Sequence, residues 1–202
     1  MLKEPTKEKQ VLALARKAKI LRVQDLGETG IHPEHLRRLY QKGQLVRIGR
    51  GVYMLPEANI SGNFSLAQVA KQVPKGIVCL LSALRFHNIG TQSPSDVWIA
   101  LDRKTARPRL DNPRLRVMKF SEAAFCAGVE IHKIDGVMVR VYCPSKTVAD
   151  CFKYRNKIGL DVAIEALREC RRSRKCKMDD LWSFAKVCRV TNVMRPYLEM
   201  IE

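Results

Sequence analysis

Residues 31–55 read Ile-His-Pro-Glu-His-Leu-Arg-Arg-Leu-Tyr-Gln-Lys-Gly-Gln-Leu-Val-Arg-Ile-Gly-Arg-Gly-Val-Tyr-Met-Leu. Pro33 suits the first position of a helix, where a missing N–H costs nothing. Leu36, Leu39 and Tyr40 fall at the i, i+3, i+4 spacing of one apolar face and are expected to be buried. Glu34, Arg37, Arg38 and Gln41 lie on the opposite face, with Lys42 at its flank. Gly43 is placed to close the helix in a left-handed cap. Two β-prone runs follow, Leu45–Ile48 and Val52–Leu55, split by Gly49-Arg50-Gly51. Glycine supplies the positive φ of a tight turn, so this is a hairpin with a basic tip. Helix, glycine cap and basic hairpin in this order predict the recognition helix and wing of a winged helix-turn-helix. The competing reading is a small helix–hairpin packing unit whose arginines are merely solvated.

Working outward, residues 6–19 predict a first helix with Thr6 as N-cap and Val11, Leu12, Ala15 and Ala18 as its core stripe. Ile20–Arg22 reads as an extended link. Val23–Glu28 reads as a short positioning helix that Thr29-Gly30 ends. The turn-rich run between Pro56 and Asn63 predicts a boundary between a winged helix-turn-helix over 1–58 and a larger α+β domain over 64–202. In the larger part, helices are expected at 64–72 (with Leu66, Val69 and Ala70 inward) and 77–87. Strands are expected at 97–101, 115–120, 128–134 and 137–142, the last pair joined by Asp135-Gly136. Pro144 stops the sheet, and Ser145 is expected to cap a helix over 146–154. Further helices are predicted near 160–172, 178–188 and 191–201.

The chain has 202 residues, 37 Lys+Arg against 20 Asp+Glu, and a net charge of +17. Such an excess favours a polyanionic partner. A membrane surface would satisfy the charge, but no stretch has the length of a spanning helix and no lipidation signal is visible. Residues 1–59 carry 12 basic and 6 acidic residues, hence +6 of the total, and the rest carries +11. The excess is therefore shared by both parts. The opening Met-Leu-Lys-Glu-Pro-Thr-Lys-Glu lacks the apolar core of a secretion signal, and a cytoplasmic protein is expected. Seven cysteines, all beyond residue 78 and without a CxxC pair, suggest reduced thiols rather than a disulfide framework or a structural metal.

Catalytic patterns are sparse. Asp96 and the run Leu101-Asp102-Arg103-Lys104 resemble the acid and Asp-x-Lys of metal-dependent nucleases. The two acids stand at opposite ends of one predicted strand, however, and ~20 Å is too far to share an ion. His87, His132, Cys143 and Cys151 show no spacing for nucleophilic catalysis. Asp150, on an otherwise apolar helix, reads as a buried carboxylate paired with Arg155 or with a backbone amide. No Walker loop, zincin motif or dinucleotide fingerprint occurs, so no cofactor, metal site or enzymatic activity is expected.

Several segments together resemble one family. Gly49-Arg50-Gly51-Val52-Tyr53, Ser82-Ala83-Leu84-Arg85-Phe86-His87, Val97-Trp98, Pro144-Ser145-Lys146-Thr147-Val148-Ala149-Asp150 and the run from Asp150 to Asp161 are similar to the AbiEi-type antitoxins. The likeness covers nearly the whole chain. It implies a winged helix that represses its own operon by binding promoter repeats. It also implies a second domain that counters a nucleotidyltransferase-like toxin of the same operon, in a type IV system that does not require direct binding. No residue of the antitoxin surface follows from these motifs. The DNA-binding candidates are Arg37, Arg38 and Gln41 for bases, Lys42 and Arg47 for phosphates, and Arg50 at the wing tip for the backbone or an adjacent minor groove. The basic clusters Arg171, Arg172, Arg174, Lys175, Lys177 and Arg103–Arg116 are open to two readings, solvated loops or added contacts to phosphate or an acidic partner. A nuclease targeted by the winged helix, or a transcription factor sensing a small ligand, are the alternative functions.

Overall fold

The computed structural model describes residues 6–110 and 112–201, apart from the side chain of Glu28. Two compact units emerge. The first comprises residues 1–74, 109–113 and 133–138, and the second 75–108, 114–132 and 139–202. This division differs from a break between 58 and 64, since the helix Phe64–Gln72 is grouped with the first unit.

The first unit opens with α1, Lys7–Ala18, whose N-cap Thr6 side chain accepts from the Lys9 N–H. The extended link forms a short strand, β1, Leu21–Arg22. Val23–Thr29 is a 3-10 helix, ended by Gly30 at φ +64°. Helix α2 spans Glu34–Gln41, with Pro33 as the residue just before it. Strands β2, Val46–Gly49, and β3, Val52–Met54, complete an antiparallel sheet in the order β1-β3-β2. Val11, Ala15, Leu21, Leu26, Ile31, Leu36, Leu39, Leu45 and Leu55 form its core. Tyr40 is not in that core. It is 47% exposed and meets Tyr53 edge-on, with ring centroids 6.3 Å apart. A helix of this length has room for a narrow buried stripe only, and Leu36 with Leu39 already fills it.

Helix α3, Phe64–Gln72, buries Leu66, Ala67, Gln68 and Val69. Asp135, from the tip 133–138, accepts from the Ser61 N–H and hydroxyl and from Lys19 Nζ. Gly136 at that tip has φ +81°, and a Cβ there would come to 3.1 Å from the Ala18 carbonyl oxygen.

The second unit is built on a mixed five-stranded sheet, β6-β5-β4-β8-β7. Its strands are β4 (Ile77–Val78), β5 (Val97–Asp102), β6 (Leu115–Phe120), β7 (Val129–Ile134) and β8 (Val137–Tyr142). The tip joining β7 and β8, residues 133–138, is grouped with the first unit. β4 runs antiparallel to β5 and parallel to β8, while β5 and β6 are parallel over their full lengths. The expected helix over 77–87 is thus two elements, because Ile77–Val78 pairs into the sheet before α4, Leu80–Phe86, begins. A continuous apolar run has no periodicity to separate a buried strand from a buried helix. Ser82 on α4 is buried with work to do, accepting from the Trp98 N–H at 2.9 Å.

The short helix α5, Glu122–Cys126, precedes β7, and α6, Pro144–Lys153, follows β8. Pro144 occupies the first turn and Cys143 the cap position, so Ser145 is buried inside the helix rather than capping it. Beyond it lie α7 (Arg155–Ile158), α8 (Leu160–Arg172), α9 (Met178–Val187) and α10 (Thr191–Met200). Cys170 and Cys176 form a disulfide, Cα–Cα 5.5 Å, which corrects the expectation of reduced thiols at this pair; the other five cysteines are free.

Helix α6 is buried from Ser145 to Phe152, enclosed by α4, α8 and α9. Its polar residues therefore satisfy one another. Lys146 Nζ donates to both Asp150 carboxylate oxygens, at 2.7 and 2.6 Å, with both side chains out of water. Asp150 is paired with Lys146 and not with Arg155, whose guanidinium donates to the Phe152 carbonyl. The Cys188 thiol donates to the same carboxylate at 3.2 Å, and the ammonium stands 4.2 Å from the Tyr142 ring centroid and 4.9 Å from that of Phe120. Burial pushes the Asp150 carboxyl up and the adjacent ammonium opposes it. A Cβ on Gly128 would come to 2.7 Å from Lys146 Cβ, and that position has φ +69°. Asp150→Ala should cost about 3–5 kcal/mol in urea unfolding, because it strands a buried ammonium. The double variant Lys146→Met with Asp150→Leu should recover most of that loss, since it leaves no charge unpaired.

Candidate nucleic-acid interface

The side chains expected to touch DNA lie on α2, at its C-cap Lys42, or on the β2–β3 hairpin, and all six are exposed. Leu36 and Leu39 have no solvent exposure, which turns Arg37, Arg38 and Gln41 outward on the same helix. Among the described residues Arg37 and Gln41 make no side-chain bond. Arg38 Nε lies 3.9 Å from Glu34 Oε1 one turn back, a loose exposed pair that leaves its guanidinium available. Gly43, at φ +69°, ends the helix as a left-handed cap.

Lys42 is differently placed. Its ammonium donates to both Glu8 carboxylate oxygens of α1, at 2.9 and 2.8 Å, and this bond holds the Glu8 carboxyl below its usual range. Arg47 Nε donates to the Gly49 carbonyl within the hairpin. Arg50 is exposed at the turn with no partner among the described residues, next to Gly51 at φ +67°.

The hairpin is fastened from below. The Val23 N–H donates to the Gly51 carbonyl at 3.0 Å. Asp25 accepts from the Arg22 N–H at 2.9 Å and pairs with Lys71 Nζ at 2.8 Å, while Arg22 Nη1 donates to the Lys71 carbonyl. Gln68 Nε2 donates to the Ile48 carbonyl at 2.7 Å. Gly49 lies so close to α3 that a Cβ would meet Gln72 Oε1 at 3.0 Å. Helix α3 thus braces β2, a role that the pattern Leu66, Val69, Ala70 did not reveal; the polar Gln68 within the apolar run was the available signal.

The nuclease-like acids are engaged locally. Asp96 Oδ2 accepts from Arg116 Nε and Asp102 Oδ1 from the Lys104 N–H, each at 2.8 Å. Among the described residues no group of three or more His, Cys, Asp or Glu is arranged to hold a metal ion. His87 Nε2 bonds the Tyr142 carbonyl at 2.7 Å, and burial holds its pKa below the usual histidine value. In the 171–177 cluster, Lys175 Nζ donates to the His87 and Asn88 carbonyls, Arg171 to the Cys176 carbonyl and Arg172 to Glu169. Arg171 and Lys175 thus fasten the turn after α8, and Arg172 pairs within the helix itself. No described helix is long and apolar enough to cross a membrane.

Burial alone would raise the Asp25 carboxyl, but the Lys71 bond, the Arg22 N–H and the two positive charges outweigh it and hold the pKa below the ordinary aspartate value. A carboxyl depressed in the folded state contributes stability that is present above its unfolded pKa and lost as pH falls through the folded one. Asp25→Asn should therefore lower the melting temperature by a few degrees at neutral pH, and the deficit should shrink as pH falls through the carboxylate range. Thermal melts across pH check both.

Among known proteins, the family model for the AbiEi antitoxin transcriptional regulators matches residues 9–56, from α1 through the β2–β3 hairpin. No curated protein sequence matches the chain. The crystal structure of the RV2827C protein from Mycobacterium tuberculosis shares the fold, with TM-score 0.63 and 15% identity, over 97% of this chain and 78% of that one. The chain is α+β, and its helix-turn-helix-type N-terminal segment is the part that is similar to the AbiEi antitoxin family of transcriptional regulators.

Proposed function

We propose that the protein is a cytoplasmic DNA-binding autorepressor of the winged-helix type, and an antitoxin of the type IV class that counters a nucleotidyltransferase-like toxin of its own operon. The observation that carries the first half is the outward face of α2. Two fully buried leucines turn Arg37, Arg38 and Gln41 outward, Arg38 with only a loose pair to Glu34, beside Arg50, which has no partner among the described residues, on a braced hairpin. A helix of this size fits the major groove of B-DNA, where arginine offers a bidentate fork to guanine and glutamine to adenine. DNA binding is assigned to residues 1–58, with Arg47 and Arg50 on phosphates, and Lys42 on phosphate only when released from Glu8. The antitoxin half rests on the resemblance of the Ser82–His87 and Pro144–Asp161 segments to the AbiEi-type antitoxins, since the family match ends at residue 56, and is assigned to residues 64–202. Helix α3 within that span serves the hairpin structurally. The toxin is countered either by direct contact or indirectly.

Arg38→Ala should cost about 1–3 kcal/mol on promoter repeats and relax preference at one base pair, with little loss on random duplex. Equal losses on both duplexes would show a phosphate contact instead. Arg37→Ala with Arg38→Ala should abolish repression yet leave rescue from the toxin intact, because Leu36 and Leu39 are untouched. Rescue is scored with the toxin under an independent promoter, so that lost repression does not pass for lost neutralisation. Failure of this double variant to rescue, while folded, would show that neutralisation runs through the DNA-binding surface.

A further inference from the structure

Residues 109–113 belong to the same compact unit as the hairpin although they follow it by more than fifty positions. Gln68 explains why. Its side chain is 5% exposed, and its amide donates both to the Ile48 carbonyl of β2 at 2.7 Å and to the Asn112 carbonyl at 3.1 Å. One buried amide thus joins the hairpin to the distant loop, and Pro113 is buried beside that junction. The chain is thus held at Asn112 and Pro113, close in sequence to Arg109.

The consequence is a cleft of about 270 Å³ bordered by Arg22, Arg50, Lys71 and Arg109. Arg22 and Lys71 are already committed to Asp25. Arg50 and Arg109 are exposed and make no bond among the described residues. Two unsatisfied guanidiniums on one cleft, beside two half-neutralised cations, make a site for a compact anion with several acceptor oxygens, which a phosphodiester group supplies.

We infer that Arg109, positioned through Gln68, is a second phosphate-binding element beside the wing and shares the cleft with Arg50 on the backbone of bound duplex DNA. This rests on the proposed DNA-binding function and extends it to a segment outside the family match. The contact carries no base information, so it adds affinity and salt dependence and leaves sequence preference unchanged.

The test uses the full chain and two probes, a duplex of the DNA immediately upstream of its gene and a scrambled duplex of equal length. Arg109→Ala should weaken binding to both by a similar factor, about three- to tenfold, and make the log Kd against log salt slope shallower by about one unit. Arg109→Lys should keep the slope, and Arg50→Ala should behave like Arg109→Ala. Gln68→Leu should reproduce part of the loss in the wild type and add nothing in an Arg109→Ala background, which a general loss of fold would not do. Unchanged affinity and slope for Arg109→Ala, in a protein that binds DNA and responds to Arg50→Ala, overturns the inference and leaves the DNA-binding function standing. A wild-type chain that binds neither duplex overturns both.

Discussion

Lys146 and Asp150 stand one helical turn apart with no access to water, and the second unit is arranged around that fact. Helix α6 is buried over eight consecutive residues, so its polar groups cannot turn to solvent as they would on an amphipathic helix. An unpaired charge there would cost several kcal/mol, and the pair is tolerated because its lone pairs and protons are spoken for. The carboxylate accepts from Lys146 and Cys188, and the ammonium lies against two aromatic faces. The close approach demanded by this packing reaches back to Gly128, where a side chain would strike Lys146. One ion pair thus constrains the start of β7, the helix after β8 and the end of α9.

The first unit solves the opposite problem. It is small, and a small unit has little core to spare. Its hairpin is therefore fixed by polar contacts at the edges: Val23 to Gly51, Asp25 to Lys71 and Gln68 to Ile48. Placing α3 under β2 adds apolar area that residues up to 58 lack, and it explains why the compact unit extends past the turn-rich run. Polar bracing also sets the aim of the exposed arginines. A guanidinium on a mobile hairpin would spend its binding energy on ordering the loop.

The α1–β3 order, the glycine cap at Gly43 and the basic turn at Arg50 were legible because each is encoded locally by periodicity or by a residue with one conformational use. Four of the five strands of the larger sheet and the last three helices were legible for the same reason. What escaped depended on partners far away in sequence. Ile77–Val78 looks like the start of a helix until β5 and β8 provide strands for it to pair with. Tyr40 has the spacing of a core residue, but the core beneath it was complete without it. Ser145 follows Pro144 and looks like a cap, while Pro144 itself takes the first helical turn. Lys42 and Lys175 carry charges that a count of basic residues treats as free, yet each is spent on a fixed partner. The Asp150 partner was four residues away rather than five, the spacing that keeps two side chains on one helical face.

That last distinction bears on what the net charge of +17 means. Counterions are released from DNA only by cations that meet phosphates, so affinity and its salt dependence follow the free ones. Arg22, Lys42, Lys71, Lys146, Arg171 and Lys175 are bound to carboxylates or carbonyls of the protein. Arg37, Arg50 and Arg109 have no such partner among the described residues, and Arg38 has only a loose one. These four lie on α2, the hairpin and the loop fastened to it, all within one compact unit. Total charge raises the rate of encounter with any polyanion, but it cannot choose a register on the duplex. Under the proposed DNA-binding function that choice would fall to the few arginines of this unit that have no firm partner among the described residues, and their position is set by two buried leucines on one side and one buried glutamine on the other.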